Sequence, residues 1–365
     1  MLKNQVIFVV SNEPWGDQWF CKHHYANELS KLGYNVFFIN PTSSWKISNL
    51  FSFGINLIRI RENLTVVKYK NNFPLTIFPL LFQILNDFIN TLKFHKLYKK
   101  KRVIWWQFDC FRFSSNFFFI RNHSRIYHVA DNYMNKMLDN KLADNADLIV
   151  CTSKLFVPYY SGLFPYKKVL FIPHGISSDE FNCDERRVDE INNNYNDFVF
   201  FSGTISKNVD LSIFENIVDF KTGVLVAGKV TTEISHSQRW KSLCENDSFV
   251  YLGVLPAREL KSYIKASLIC ISAYDFKLRK VVGKDSSLKI LNYISQMKPV
   301  VTTIDSSIPE LQDRIIFTAN NYDEFLVYIE LAKKKSIFVD STTVQAYLNK
   351  HLYKKLINDI MINIC

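Results

Sequence analysis

A polar and cationic stretch that leads into a helix and a strand, Lys284 to Thr303, carries side chains suited to binding a phosphate group. Apolar residues recur at helical spacing from Leu288 onward, and Ser286 and Ser287 precede them as candidate N-caps. The start of a helix presents unpaired backbone N–H groups and attracts anions. Lys289, in the first turn, would add a positive charge. The residue types therefore predict a phosphate site at this helix start.

Two aspartates each follow a strand-like run and could act as an acid or a base. Asp109 comes after Ile104 to Gln107, and Asp131 comes after Ile126 to Val129. A carboxylate at a strand end can take the proton from a hydroxyl group. Asp131 is the predicted base, although Asp is also a favoured N-cap and could simply start the next helix. Asp109 is the reserve candidate, because the aromatic residues and Arg112 beside it indicate an ion pair or the wall of a binding site.

A glycine after another strand-like run offers a second way to hold a phosphate. Phe198 to Phe201 leads into Gly203, and a glycine lets the backbone approach a ligand closely. The side chains that could bind the same phosphates are Thr204, Lys207, Lys280 and Lys284.

The size and composition of the chain indicate two domains that position these residues. The 365 residues are 48% hydrophobic, which is enough for two cores. The seven cysteines are odd in number and form no C-x-x-C pair, which argues against a zinc site and a disulfide framework and fits a reducing cytoplasm. The first apolar run is too short for a signal peptide, and no apolar span of about 18 residues follows. We therefore expect a protein that is neither secreted nor membrane-spanning.

Strand-like runs alternate with helical segments from the beginning of the chain. Val6 to Val10, a helix over about Trp19 to Leu32 and the run Asn35 to Asn40 predict a β-α-β opening of the doubly wound type. In such sheets ligands bind at the carboxyl ends of the strands. No G-x-G-x-x-G follows the first strand, so a nicotinamide or flavin cofactor is not supported.

The chain divides at a polar run, Ser177 to Asp197, which has the composition of a linker. A second series of strands begins directly after it. We expect one domain over residues 1–183 and another over residues 184–343, followed by a helical tail over residues 344–365.

The positive charge of the chain is concentrated in its first half. Residues 1–183 hold 22 Lys and Arg against 12 Asp and Glu, whereas residues 184–365 hold 23 against 22. This imbalance indicates an anionic partner, either nucleic acid or an anionic membrane face, unless Lys-rich usage merely keeps the protein soluble. The aromatic residues lie mainly within apolar strand and helix patterns and not between exposed cations, which argues against nucleic acid.

The segment Phe73 to Arg102 is the best candidate for contact with a membrane. It is apolar and aromatic at first, follows a helical stripe from Pro79, and ends in the basic cluster Lys99 to Arg102. Such a helix can lie in the headgroup region of an anionic membrane. The alternative is a core helix with a solvated basic end before the strand that starts at Val103.

The run from Ser287 to Val301 resembles the donor-binding signature of bacterial GT-B glycosyltransferases, Pro-Leu-Lys-x-x-Glu-Tyr-x-x-x-Gly-Lys-Pro-Val-Val. The positions that match the signature are Leu288, Lys289, Tyr293 and Lys298 to Val301. Ser287, Asn292 and Met297 stand where the signature has Pro, Glu and Gly. In that family the Glu binds the ribose hydroxyls of a nucleotide-sugar, and the amide of Asn292 can hydrogen-bond them without charge assistance.

The resemblance extends in order along most of the chain. The run Tyr127 to Tyr133 is similar to a Val-x-Asp-x-Tyr strand end of the family, which would place Asp131 at the mouth of the cleft. The family fold implies an α/β chain with two facing Rossmann-like domains, the C-terminal one for the nucleotide-sugar and the N-terminal one for the acceptor, and a final helix that crosses back to the first. The residues that the resemblance assigns to the donor are Gly203, Thr204, Lys207, Leu255, Lys280, Lys284, Ser286, Ser287, Lys289 and Asn292. Those that it assigns to the acceptor side or the domain junction are Gly16, Asp17 and His174.

The resemblance implies transfer of a sugar from a nucleotide-sugar, expected to be UDP-linked, to a lipid-linked or growing bacterial glycan of the capsule, O-antigen or teichuronic-acid type. No Asp-x-Asp occurs in the sequence, which fits transfer without a metal or other cofactor. The expected location is the inner face of the plasma membrane. Two alternatives are a nucleotide-sugar epimerase of the same architecture and a noncatalytic membrane-associated scaffold, which Asn292 in place of Glu suggests.

Overall fold

The computed structural model describes residues 5–99, 101–114, 123–132, 136–279, 287–305 and 308–364. The chain forms two compact units: the first comprises Met1–Pro173 and Tyr353–Cys365, and the second comprises His174–Leu352. These units divide the chain at residues 173 and 352, where the sequence placed the boundaries at 183 and 343. His174 accordingly begins the second unit.

The first unit contains an eight-stranded sheet in its described residues, in the order β3-β4-β2-β1-β5-β6-β7-β8. All neighbouring strands are parallel except β3 and β4, which pair antiparallel. The strands are β1 (Gln5–Val10), β2 (Asn35–Ile39), β3 (Asn56–Arg61), β4 (Leu64–Lys68), β5 (Arg102–Gln107), β6 (His123–Val129), β7 (Leu148–Cys151) and β8 (Lys168–Phe171). Val6 to Val10 are fully buried, as expected of a central parallel strand covered on both faces.

The second unit contains a six-stranded parallel sheet in its described residues, in the order β11-β10-β9-β12-β13-β14. The strands are β9 (Phe198–Ser202), β10 (Gly223–Ala227), β11 (Phe249–Tyr251), β12 (Ile269–Ser272), β13 (Val300–Thr302) and β14 (Ile316–Thr318). Counted within the unit, this is the doubly wound order 3-2-1-4-5-6, which reverses direction between β9 and β12.

The helices connect the parallel strands of both sheets. They are α1 (Cys21–Lys31), α2 (Pro79–Lys93), α3 (His95–Tyr98), α4 (Lys136–Asn145), α5 (Val157–Leu163), α6 (Glu185–Asn194), α7 (Leu211–Asp219), α8 (Thr232–Ser235), α9 (Gln238–Cys244), α10 (Ala257–Ala266), α11 (Leu288–Ser295), α12 (Tyr322–Lys333), α13 (Ser341–Lys350) and α14 (Tyr353–Ile362). Over the described ranges, no helix combines the length and the apolar character needed to cross a membrane.

The segment between the two series of strands is not an unstructured linker, so that prediction is wrong. Residues 185–194 form α6, and Asp184 caps it by accepting a hydrogen bond from the backbone N–H of Arg187. The polar composition hid one apolar stripe, because Val188 and Ile191 are spaced three apart on the helix and are buried.

The predicted tail is two helices and not one. The chain breaks after α13, and only α14 belongs to the first unit. Tyr353, Leu356 and Ile357 of α14 are buried in the same core cluster as Ile7, Val9 and the apolar residues of α1. The C-terminal helix therefore completes the core of the first domain, and the predicted α/β fold with two Rossmann-like domains is confirmed.

Candidate functional site

Three neighbouring strands of the second sheet each end beside a glycine with a left-handed backbone. Gly203 follows β9 with φ +139°, Gly228 follows β10 with φ +141°, and Gly253 follows β11 with φ +72°. The backbone N–H of Gly228 donates to the carbonyl oxygen of Gly253 at 2.7 Å, and that of Gly203 donates to the carbonyl oxygen of Ala227 at 2.9 Å. The carboxyl edge of this sheet is thus lined by bare backbone.

Gly228 is the most constrained of the three glycines. A β-carbon at this position would lie 1.9 Å from the carbonyl oxygen of Gly203 and would overlap it. The turn after β10 therefore reaches its position only without a side chain. Of these three glycines, Gly203 was the one predicted to approach a phosphate. The repetition of a glycine just after three successive strands is a further signal in the sequence.

Lys289 lies in the first turn of α11, beside the turn that contains Gly203. Its Nζ is 4.7 Å from the ring centroid of Phe201 and 4.2 Å from that of Tyr274. Phe201 belongs to β9 and Tyr274 follows β12, so the ammonium group lies where the strand order reverses. A Cβ on Gly203 would come within 3.6 Å of this Nζ. Among the described residues no carboxylate forms an ion pair with Lys289, and the two rings hold the cation by cation–π attraction.

Tyr293 fixes the strand end from which the Gly203 turn begins. Its buried hydroxyl oxygen accepts a hydrogen bond from the backbone N–H of Ser202 at 2.7 Å and lies 3.0 Å from the Oγ of Ser202. Burial raises the pKa of Tyr293 above the ordinary value for tyrosine, so the ring stays neutral. The Tyr of the family signature therefore has a positioning role here: it joins α11 to β9 and fixes Lys289 relative to the glycine turn.

The other residues predicted for the donor differ in their surroundings. Thr204 and Lys207 are exposed after Gly203, whereas Leu255 and Asn292 are partly buried. Ser287 is the N-cap residue of α11 by its backbone conformation, although its side chain makes no capping hydrogen bond. The residues that lie outside the described ranges are Lys280, Lys284 and Ser286.

Arg279, in the basic loop before α11, is already neutralised. Its Nε lies 2.6 Å from Oδ1 of Asp305, and its Nη1 donates to Oδ1 of Asn320 at 2.5 Å. The number of cations in this loop that could bind an anion is therefore smaller than the sequence suggests. Lys289 is the described cation that lies against the glycine turn.

In the first unit, Asp131 is exposed two residues beyond the end of β6. Two charged residues that interact with Asp131, Lys22 and Glu13, were not predicted from the sequence. Lys22, which is 1% exposed, forms an ion pair with Glu13 and donates to Oδ1 of Asn12 at 2.6 Å. Burial lowers the pKa of Lys22, but Cys21, Glu13 and Asp131 outweigh it and the net shift is upward. The buried Lys22 thus pairs with Glu13 and is also stabilised electrostatically by Asp131.

Asp109 is fully buried and already bonded. Its Oδ2 lies 3.1 Å from Nη2 of Arg112, and its Oδ1 accepts a hydrogen bond from the backbone N–H of Phe111. Arg112 also donates to the carbonyl oxygens of Ser11 and Asn40. The ion pair predicted for Asp109 is confirmed, and this carboxylate is a less suitable base than the exposed Asp131.

Gly16 and Asp17 are exposed in the loop after β1, and the carbonyl oxygen of Gly16 accepts a hydrogen bond from Nε1 of Trp19 at 3.0 Å. His174 is buried. Gly203 and Lys289 therefore lie close together in the second unit. Gly16 and Asp17 lie on an exposed loop of the first unit.

No model of a protein family and no curated protein matches the sequence. Solved structures do match the fold. The sucrose-phosphate synthase from Thermosynechococcus elongatus aligns at 11% identity over 98% of this chain and 97% of that one, with a TM-score of 0.68. An α,α-trehalose-phosphate synthase (UDP-forming) from Burkholderia vietnamiensis aligns at 10% identity over 99% of both chains, also with a TM-score of 0.68.

A third similar structure is that of a point mutant of S. aureus TarM in complex with Fondaparinux, α-GlcNAc-glycerol and UDP. It aligns at 8% identity over 99% of both chains, with a TM-score of 0.64. At these identities the likeness shows the fold. The chain has the two-Rossmann-domain fold of the GT-B glycosyltransferases.

Proposed function

We propose that this protein is a glycosyltransferase that takes a sugar from a nucleotide-sugar whose diphosphate binds at Gly203 and Lys289. The observation that carries the proposal is the ammonium group of Lys289, held between Phe201 and Tyr274 with no carboxylate partner among the described residues. A cation beside bare backbone, at the point where a doubly wound sheet reverses its strand order, suits a diphosphate. The start of α11 adds the partial positive charge of its backbone N–H groups.

The nucleotide is proposed to be UDP. The trehalose-phosphate synthase is described as UDP-forming, and both TarM and the pneumococcal O-GlcNAc transferase GtfA were solved with UDP. In this proposal the glycine turns and Lys289 contact only the phosphates. The nucleotide base would be contacted by Leu255 and its neighbours. Asn292 is proposed to hydrogen-bond the ribose.

The reaction is proposed to need no metal ion. The sequence contains no Asp-x-Asp, and Lys289 together with the start of α11 would stabilise the leaving diphosphate. Activity that survives a chelator supports this mechanism, and activity restored only by Mg²⁺ or Mn²⁺ contradicts it.

Asp131 is the proposed base, if the reaction inverts the anomeric centre. Its carboxylate is exposed at the carboxyl end of β6, within the electrostatic reach of Lys22. A positioned base contributes about 10²- to 10⁴-fold to the rate. Asp131→Asn should therefore reduce turnover by at least the lower factor while UDP affinity and the melting temperature stay the same. A lower melting temperature with turnover per folded molecule intact would make Asp131 a helix cap instead.

The acceptor is proposed to be lipid-linked or a growing glycan of the bacterial envelope, of the capsule, O-antigen or teichuronic-acid type. The support is the basic first half and the segment Phe73 to Arg102, which would hold the enzyme at the inner face of an anionic membrane.

The decisive experiment is a thermal-shift screen with UDP, GDP, CMP and their sugars. A ligand at 100 times its dissociation constant stabilises the folded state by about 2.7 kcal/mol. Stabilisation by one nucleotide family, followed by release of that nucleotide when an acceptor is added, supports the proposal. Epimer formation from the donor alone would indicate an epimerase, and no stabilisation by any nucleotide would indicate a scaffold.

A further inference from the structure

Helix α2 of the first unit presents its apolar side to solvent and its polar side to the protein. Its five buried residues are all polar: Gln83, Asn86, Asp87, Asn90 and Thr91. Large apolar residues are exposed on the other side: Leu80, Leu81, Ile84, Phe88 and Leu92. A helix on a water-facing surface normally has the opposite arrangement. The outer side of α2 is therefore suited to an apolar environment.

Hydrogen bonds fix α2 in this orientation. Asn86 accepts from the backbone N–H of Phe73 and donates to its carbonyl oxygen, both at 2.9 Å. Asn90 donates to Oδ1 of Asn71 at 2.9 Å. Turning the apolar side inward would break all three bonds and leave the amides without partners. The exposure of the apolar side is thus built into the domain.

A second apolar segment lies beside the first, outside the segment that the sequence analysis selected. Ile47 is 76% exposed, Phe51 83% and Phe53 64%. The side chain of Asn72 donates to the carbonyl oxygens of Asn49 and Leu50 at 3.2 and 3.0 Å. Because Asn72 lies between the two residues that bind α2, both apolar segments are attached to the same short stretch. We define the exposed apolar side chains of residues 47–60 and 75–92 as the apolar face.

The stretch of chain that contains the apolar face is strongly basic. Residues 46–102 hold 11 Lys and Arg against 2 Asp and Glu, so they carry +9 of the net +11 of the chain. One of the two acids, Asp87, is buried. A second copy of the chain is a poor partner, since a two-fold contact would place these cations against each other.

We infer that the apolar face inserts into the headgroup region of an anionic lipid bilayer, with the residue 47–53 segment and α2 as two points of entry. Apolar side chains and surrounding cations are the two features that such a surface needs. The inference rests on the proposed function, because it specifies how that enzyme meets a lipid-linked acceptor. Beyond the membrane contact proposed above, it specifies that side chains insert into the bilayer, that a second segment takes part, and which side of the domain faces the membrane.

The test uses the full chain and vesicles of phosphatidylcholine with phosphatidylglycerol, in a sedimentation assay. Two double variants remove apolar surface: F51S with F53S, and F78S with L81S. Each should reduce the partition coefficient about tenfold or more. The matched control is V327S with F338S, which removes residues that are 56% and 80% exposed on the second unit and should change nothing.

Charge is tested in the same assay. R59S with R61S should weaken binding about tenfold or more, and wild-type binding should require phosphatidylglycerol. The matched control is K354S with K355S, two exposed cations of the same unit on α14. Helix α14 packs with Ile7 and Val9 on one face of the sheet. Phe94, the C-cap residue of α2, packs with Val6 and Phe8 on the other face. The control cations on α14 therefore lie on the face of the sheet opposite to α2.

Insertion is read from an environment-sensitive dye on F51C in a background with C183S, C244S and C365S. Its emission should shift to the blue when vesicles are added. The same dye on the exposed Cys244, in a background with C183S and C365S, is the negative control. Binding that high salt abolishes and the apolar variants leave unchanged would overturn insertion. So would a dimer in solution that these variants dissociate without any vesicle binding.

Nucleotide binding separates this inference from the proposed function. All of these variants should keep the UDP affinity of the wild type. A wild-type protein that binds UDP but does not bind the vesicles would overturn insertion alone, whereas vesicle binding by a protein that binds no nucleotide would overturn the proposed function alone.

Discussion

Among the described parallel strands of each sheet, the strand order reverses at one point, and a cation lies at both points. In the first unit the reversal falls between β1 and β5, and Arg112 donates there to the carbonyl oxygen of Ser11 and lies against Asp109. In the second unit it falls between β9 and β12, where Lys289 lies between two aromatic rings. The same topology thus holds two very different sites.

The difference is in how each cation is compensated. Arg112 is 8% exposed and donates to Tyr69 as well as to two carbonyl oxygens and a carboxylate, so its charge is satisfied within the protein. Among the described residues, Lys289 lies beside the ring faces of Phe201 and Tyr274 and near the backbone of Gly203. The reversal point of the second sheet is thus the one whose cation lacks a carboxylate partner in the described part of the chain, and the diphosphate is proposed to bind there.

Substitution of Gly228 is the most severe way to break this comparison. Gly228→Ala places a methyl group 1.9 Å from the carbonyl oxygen of Gly203. We expect the unfolding free energy to fall by about 4 kcal/mol or more, and UDP binding to be lost. Gly253→Ala is the control, because nothing lies within 4 Å of its new β-carbon. It should cost only about 1–2 kcal/mol for its positive φ in urea unfolding. An equal loss of unfolding free energy in the two variants would show that the backbone at Gly228 moves to accommodate the methyl group.

Arg112→Met tests the compensated site. It leaves the buried Asp109 without its cation, which should lower the unfolding free energy by about 3–5 kcal/mol and leave UDP affinity intact. Arg279→Met removes the partly exposed pair with Asp305 and should cost about 0–1 kcal/mol. Weaker UDP binding by the Arg112 variant, measured by calorimetry on folded protein, would contradict the division of roles.

Lys289→Ala tests the uncompensated site. Loss of a charge-assisted contact should cost about 1.5–3 kcal/mol of binding, a roughly 10- to 150-fold weaker affinity for UDP. Stability should hardly change, because the ammonium group has no ion-pair partner among the described residues. Lys241→Ala, an exposed cation of the same unit, should leave affinity unchanged. Unaltered binding by the Lys289 variant would move the phosphate site to Lys280 or Lys284.

Asp87→Asn tests whether a buried carboxyl of the first unit makes the stability of the protein depend on pH. Burial raises the pKa of Asp87 to about 7, against the opposing effects of its hydrogen bonds and of Arg112 and Arg125. A carboxyl whose pKa is raised in the folded state stabilises the protein at low pH, and this stabilisation is lost as the pH rises through about 7. The wild type should lose about 1–3 kcal/mol between about pH 5 and pH 8. The variant should lose less, and an identical slope in urea titrations would exclude Asp87 as the cause.

The parallel strands were predictable because they are buried on both faces and their sequences are continuous apolar runs rich in β-branched residues, such as Val6 to Val10. The edge strand β3 was not, because all six of its residues are exposed and its basic residues resemble a loop. The apolar stripe in the sequence correctly predicted the position of helix α2. Only the structure shows that the polar stripe is the buried one, since an amphipathic pattern does not state which side faces the core.

The candidate site was predictable where a local motif carried it. Gly203 and Lys289 came from short runs of sequence, and the Tyr of the motif proved to bond β9. The ring of Tyr274 beside Lys289 and the contact of Gly228 with Gly203 depend on strands that are distant in sequence. Such contacts follow from strand order, which residue spacing alone does not determine.

The core of the first unit closes with a helix that the ribosome produces late. Helix α14 comes about 180 residues after the rest of that unit, with the whole second unit between. At about 5–20 residues per second, the delay is on the order of ten seconds or more. Throughout that time Ile7, Val9 and the apolar side of α1 lack the helix that covers them. The second domain, although translated later, is the first whose core can be completed during synthesis.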